Sequence, residues 1–369
     1  MNRLILIGNG FDIAHELETS YKAFIFDYLK TSFLKCINQV DKLYEDNLLK
    51  IYSPNSNCYI SATKNYKDYN FADLYEIIET KSKGLHNKSG ALPLYMIKIK
   101  SEFLYHLVIY CQNCNWVDIE NEYYQLLCKY TDPKNKEDKI KQLNDEFQIL
   151  QDLLQEYLLS INRMIPVSIN NYFNNDICEQ LTEPTYVTKV KPSNILFLNF
   201  NYTETIEYYL NGISRIVPMS NVIYIHGQLG LSKNPMIFGY GDEDDTNFSI
   251  LEKNDECLKY VKTYRYLRTD NYTRFLDFIE SGDYEVYIMG HSCGMSDKTM
   301  LSSIFNSDYC KKIKILTYNK KKGQNPSLLT TNYIEMTYQI GRLFNKKSDL
   351  RKKLIHFSTE DLLQMRRKK

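Results

Sequence analysis

The sequence predicts an α/β fold, with a mostly parallel open sheet and a large helical insertion after the first strand. Three observations carry this. Short, continuous apolar runs recur at Leu4-Ile5-Leu6-Ile7, Ile195-Leu196-Phe197-Leu198, Val222-Ile223-Tyr224-Ile225 and again at residues 284–289. Runs of this length and composition are strands buried on both faces, as parallel sheets require. Each of them ends in a glycine or a polar cluster, which is where open α/β sheets bind ligands. Between the first run and the second lie residues 20–185, whose apolar residues fall mainly at three- and four-residue steps, the helical period.

Taken in order, the first strand is Leu4-Ile5-Leu6-Ile7. Thr19 or Ser20 then supplies an N-cap for the helix that begins Tyr21-Lys22-Ala23. Helices are expected at 94–110, 117–130 and 139–163, and loops at 52–70 and 84–90. After Pro184 the strands return, with a helix at 203–210 between the second and third. Ile313-Lys314-Ile315-Leu316-Thr317 is the last strand, and helices are expected at 297–305 and 326–344. The organisation is therefore a Rossmann-like core of residues 1–19 and 186–345, a mainly helical insertion of 20–185, and a charged C-terminal stretch of 346–369.

Composition excludes several classes. Hydrophobic residues are 43% and charged residues 25%, so a normal core is affordable and wholesale disorder is not expected. A formal charge of +1 gives no global field for nucleic acid or an anionic membrane. No apolar run approaches the roughly 18 residues that would span a bilayer, and the start lacks an export signal. The nine cysteines are scattered. With no export signal they are expected to be reduced thiols in the cytoplasm. Cys111-Gln112-Asn113-Cys114 is one C-x-x-C without a second pair, so packing explains it better than zinc, and no metal is expected.

Five clusters carry chemistry. Gly8-Asn9-Gly10-Phe11-Asp12 follows a strand and opens a helix, a place where backbone amides approach a phosphate. Position 13 is Ile, so the strict dinucleotide pattern G-x-G-x-x-G is not met. Asn199-Phe200-Asn201-Tyr202-Thr203 could cap the next helix or present a catalytic amide. His226-Gly227 sets an imidazole at a strand end, with glycine leaving room for a ligand. Gly290-His291-Ser292-Cys293-Gly294 spells the nucleophile elbow G-x-S-x-G. His356 is the only later histidine, so a second phosphate- or ribose-contacting loop is favoured, with Asp297 as a helix cap or a hydroxyl partner. In Trp116-Val117-Asp118-Ile119-Glu120 the acids suit the start of a helix.

Together these motifs resemble the AbiH-type bacteriophage abortive-infection family. The likeness rests on residues 4–15 with Thr19-Ser20-Tyr21 and Phe24, on residues 116–120, and on Phe200-Asn201-Tyr202-Thr203. It continues through His226-Gly227, Phe238-Gly239-Tyr240-Gly241 and Gly290-His291-Ser292 with Asp297. The order of motifs is also similar, more distantly, to sirtuin-like NAD-consuming domains. That second likeness implies that Asn201 and His226 are the catalytic pair. It also puts Gly8, Gly10 and Asp12 on a first phosphate loop, and Gly290 and Ser292 on a late ribose-phosphate loop. Asn9, Phe11, His291 and Asp297 join these loops as ligand contacts.

The expected function is phage defence by abortive infection through a bound nucleotide, with hydrolysis of the nicotinamide–ribose bond of NAD as the reaction. NAD would be substrate or ligand, and no other cofactor is required. A homo-oligomer or a defence-system partner would use the helical insertion; membrane and nucleic acid are not indicated. The alternatives are a non-enzymatic nucleotide sensor or scaffold, and a Ser292 hydrolase.

Overall fold

The computed structural model describes residues 1–54, 65–79, 94–113, 118–131, 137–162, 171–241, 248–320 and 324–361. The expected loop at 84–90, Cys58, Cys114, Trp116 and the basic tail at 366–369 lie outside them. The chain forms two compact units, Met1–Thr19 with Leu158–Lys369, and Ser20–Tyr157. Eight strands run in chain order: β1 (Asn2–Ile7), β2 (Leu43–Glu45), β3 (Leu49–Tyr52), β4 (Met96–Ile99), β5 (Ile195–Asn199), β6 (Ser220–Tyr224), β7 (Tyr284–Met289) and β8 (Cys310–Leu316).

The first unit is built on a five-stranded sheet in the order β6-β5-β1-β7-β8, every neighbouring pair parallel. Counted by these strands alone, the order is 3-2-1-4-5, that of a doubly wound Rossmann-like sheet. Strand alternation sends successive side chains to opposite faces, and here both faces are buried. Leu4, Leu6, Leu196, Leu198, Val286, Ile288, Ile313 and Ile315 pack with the helices Asn271–Glu280, Lys298–Asn306 and Tyr333–Leu343. Ile5, Ile7, Ile195, Phe197, Tyr287 and Met289 pack with Ile177 and Leu181 of the helix Asn171–Thr182, and with Tyr209 and Ile213 of Glu207–Ile216. Continuous apolar runs, rather than alternating ones, are the sequence consequence of this double burial.

One face of the sheet carries a buried charge ladder. Arg3 is fully buried on β1, donates through Nε to Glu285 Oε1 at 2.9 Å, and caps the Leu181 carbonyl at 2.7 Å. Its guanidinium lies 4.1 Å from the centre of the Tyr287 ring. On β8, Lys314 is 3% exposed and pairs with Asp361 at 2.8 Å and Glu183 at 3.0 Å. Burying such charges is tolerable only because each is paired and hydrogen-bonded.

The second unit holds the antiparallel sheet β2-β3-β4 with helices Tyr21–Asn38, Glu102–Asn113 and Ile119–Tyr130. The expected cap is present: Ser20 accepts the Ala23 amide at 3.2 Å. Asp118 likewise caps its helix, accepting from the Asn121 amide at 3.0 Å. The helix expected over 94–110 is instead strand β4 followed by a helix from Glu102. Met96-Ile97-Lys98-Ile99 is too short to separate the two periods, and pairing with β3 decides in favour of the strand. No described helix is long and apolar enough to cross a membrane.

Candidate functional site at the carboxyl edge of the parallel sheet

β1 and β7 are neighbours at the point where the strand order reverses, so the loops that follow them meet. They meet backbone to backbone. The Gly8 amide donates to the Met289 carbonyl at 3.1 Å, the Gly10 amide to Gly290 O at 2.8 Å, and the Phe11 amide to Gly8 O at 2.8 Å. A Cβ on Gly8 would stand 2.4 Å from His291 Cα, and one on Gly290, whose φ is +73°, 2.2 Å from the Phe11 amide nitrogen. These glycines are therefore required by the interlock of two loops. Three of the turn's amides are spent within the protein, and Asn9 is the exposed residue of the turn, its side-chain oxygen accepting from the Thr19 hydroxyl.

Behind the turn, Asp12 is 1% exposed. The Thr203 hydroxyl donates to its Oδ2 at 2.6 Å, while Oδ1 is buried without a hydrogen-bond partner among the described residues. Burial raises its carboxyl to a pKa of about 6, against the lowering effect of the nearby hydroxyls of Thr203 and Thr205 and the Asn201 amide. Asn201 is buried as well, and its Nδ2 donates to the Gly8 carbonyl at 3.0 Å. Neither asparagine caps the next helix. Asn199 instead accepts the Asn201 amide at 3.0 Å and donates to Thr203 O at 3.2 Å, and the helix Glu207–Ile216 starts further on, with Ile206 at its cap position.

The polar centre is Asp297. It stands at the N-cap position of Lys298–Asn306, but its carboxylate makes no cap bond there, so the expected helix-cap role fails. Its Oδ1 lies 2.9 Å from Lys262 Nζ and 3.2 Å from His226 Nε2, and its Oδ2 lies 3.5 Å from His291 Nε2. Burial would raise its pKa, yet the Lys262 ammonium and the His226 imidazole hold the carboxyl well below the usual range. His226 is buried, and burial with the Lys262 charge pushes its pKa down against the pull of Asp297. The imidazole is thus neutral at physiological pH. Nε2 is also 3.2 Å from the Tyr266 hydroxyl, and the Phe200 ring sits 5.2 Å from the His226 ring and 4.2 Å from that of His291.

The structure therefore brings together Gly8, Gly10, Phe11, Asp12, Asn201, Gly290 and His291, and sets His226 and Asp297 beside them through Phe200 and His291. Ser292 stands apart. It is exposed and its hydroxyl has no hydrogen-bond partner among the described residues. The adjacent imidazole is no base for it, because His291 Nδ1 accepts the Cys293 amide at 3.0 Å and Nε2 faces Asp297. The left-handed backbone of the loop falls on Gly290, φ +73°, and Cys293, φ +53°, and not on the serine, so the elbow geometry is absent. Nor does Gly227 leave room for a ligand: at φ +85° it makes a turn whose open side is filled by the Pro235 carbonyl, 2.2 Å from a Cβ placed there.

Sequence reasoning missed Lys262, 1% exposed, and Tyr266. The Phe238-Gly239-Tyr240-Gly241 segment places the lysine. Tyr240 N donates to Tyr260 O at 3.0 Å, and Lys262 N to Tyr240 O at 2.7 Å. The model of a family described as bacteriophage abortive infection AbiH matches residues 4–319, the span that contains every one of these groups. The chain belongs to the AbiH family. No curated protein matches this AbiH chain. The more distant likeness to sirtuin-like domains draws no support from the family match, so an NAD chemistry for this AbiH protein rests on the geometry of its site.

Proposed function

We propose that this AbiH-family protein acts in phage abortive infection by binding a nucleotide at the carboxyl edge of its parallel sheet and hydrolysing the nicotinamide–ribose bond of NAD. The observation that carries the reading is the buried group of His226, Asp297, His291 and Lys262 beside Asn201 and the glycine turn. In such a hydrolysis the C–N bond breaks with both electrons leaving on the ring nitrogen, which loses its positive charge. The ribose becomes oxocarbenium-like, as in glycoside hydrolysis. Water adds to the anomeric carbon and gives up one proton. A neutral His226, held by Asp297, is the base that takes it. Asn201 orients the water or a ribose hydroxyl, and Asn9 faces the phosphates.

Nicotinamide release from NAD tests this. His226→Ala and Asn201→Ala are each expected to lower turnover at least about 100-fold, the scale of a general base or a positioning group. Variants that keep wild-type turnover would remove the site assignment. A binding-only sensor is the second reading, supported by the side-chain amide of Asn201, whose Nδ2 is spent on the Gly8 carbonyl and not left for catalysis. Calorimetric binding of NAD or ADP-ribose by a protein that turns over neither would select it.

A further inference from the structure

A cavity of about 150 Å³ is lined by Asp297 and Tyr266 but not by His226, and no step of the reaction above uses it. Its lining combines apolar and polar groups. Tyr266 and Tyr272 stack with ring centres 5.4 Å apart, and Met300 lies beside them. Lys262, Ser296 and Asp297 supply its polar lining. There the Lys262 ammonium donates to Asp297 at 2.9 Å and to the Ser296 carbonyl at 3.3 Å, so donor and acceptor groups stand side by side.

We infer that this cavity is a binding site for a single planar heteroaromatic ring bearing a carboxamide. Size sets the limit: an apolar cavity of about 150 Å³ accommodates one benzene-sized ring, and a purine carries a second fused ring. Chemistry sets the class. Tyrosine faces take an aromatic plane, while adjacent donors and acceptors match the C=O and NH₂ of a primary amide and leave no buried group unpaired. The inference deepens the NAD reading and rests on it for the identity of the ring, which would be the nicotinamide leaving group. Asp297 then touches both halves of the chemistry, the His226 imidazole and the departing ring.

Ligand-observed saturation-transfer NMR on the full chain tests this, with nicotinamide, benzamide and adenine as probes. Nicotinamide and benzamide are expected to bind in competition with each other, and adenine is expected not to displace either. Thr263→Trp, which fills the cavity from its wall, should weaken amide binding at least tenfold. Leu267→Trp should do the same from the rim, where the 77% exposed side chain makes the change safe for folding. No binding of either amide, displacement of bound nicotinamide by adenine, or undiminished binding in both tryptophan variants would overturn the inference. NAD turnover separates it from the reading it rests on. Turnover without amide binding sinks the cavity assignment and spares the hydrolase; amide binding without turnover sinks the hydrolase and spares the cavity.

Discussion

Asp12 is a carboxyl group in a place that resists its charge. Only one oxygen is hydrogen-bonded, and burial lifts its pKa from 3.8 to about 6. Because the folded value exceeds the unfolded one, the protonated form is the one the fold favours. The contribution to stability is full below about pH 4 and is lost as pH rises through 6. At about 1.4 kcal/mol per unit, the charge costs the fold on the order of 3 kcal/mol at neutral pH. Asp12→Asn keeps an acceptor for Thr203 and removes that cost. Urea unfolding should show the variant more stable than wild type by about 2–3 kcal/mol at pH 7.5, with the gap closing near pH 4. A gap independent of pH would mean that the carboxyl does not titrate as described. A protein that keeps such a residue is holding stability in reserve for something other than folding, consistent with a place in the site.

The interlock of the loops after β1 and β7 belongs to the scale of elements. Gly290→Ala meets both a positive φ and a backbone atom at 2.2 Å. It should destabilise by more than about 3 kcal/mol or prevent soluble expression, since backbone cannot step aside as a side chain can. Gly294→Ala, four residues on, has φ −69° and meets only the Ser292 hydroxyl at 3.4 Å. It should change the unfolding midpoint little, by about 0.5 kcal/mol or less. Equal losses in the two would refute the interlock.

This scale is also where sequence reading did best and worst. β1, β5 and β7 were legible because two-sided burial leaves nearly unbroken apolar runs. β2 and β3 were not: Leu43-Tyr44-Glu45 and Leu49-Lys50-Ile51-Tyr52 are short, mixed in polarity, and become strands through pairing with each other and, for β3, with β4. Asn201, His226 and Asp297 could be placed because each follows a strand at one rim. Lys262 could not, since it follows no strand. A lysine amid Val261, Thr263 and Tyr264 looks like any solvated one until a backbone bridge to Tyr240 turns it inward.

Across the whole molecule, the C-terminal segment is fastened to the far edge of the sheet. Asp361 receives the Lys314 ammonium, and its carbonyl accepts the Thr317 amide at 2.8 Å. Asp361→Ala leaves a buried lysine with the partly exposed Glu183 as its one carboxylate partner among the described residues, beside the Tyr186 and Tyr287 rings. Thermal or urea unfolding should show a loss of about 2 kcal/mol, less than a fully orphaned ion would cost. Asp349→Ala, in an exposed pair with Lys352, should be near neutral. Matching effects in the two would argue that Lys314 is not held as described.

The same long reach has a consequence for biosynthesis. Asn201 grips Gly8 across 193 residues of chain, and Arg3 finds Glu285 across 282. At ribosomal speeds of about 5–20 residues per second, the opening strand waits on the order of ten seconds or more for its first neighbour. His226 cannot be locked by Asp297 until the growing chain has passed residue 297. A polypeptide abandoned before that point therefore lacks the assembled site, and the activity proposed above would be withheld until these residues have left the ribosome.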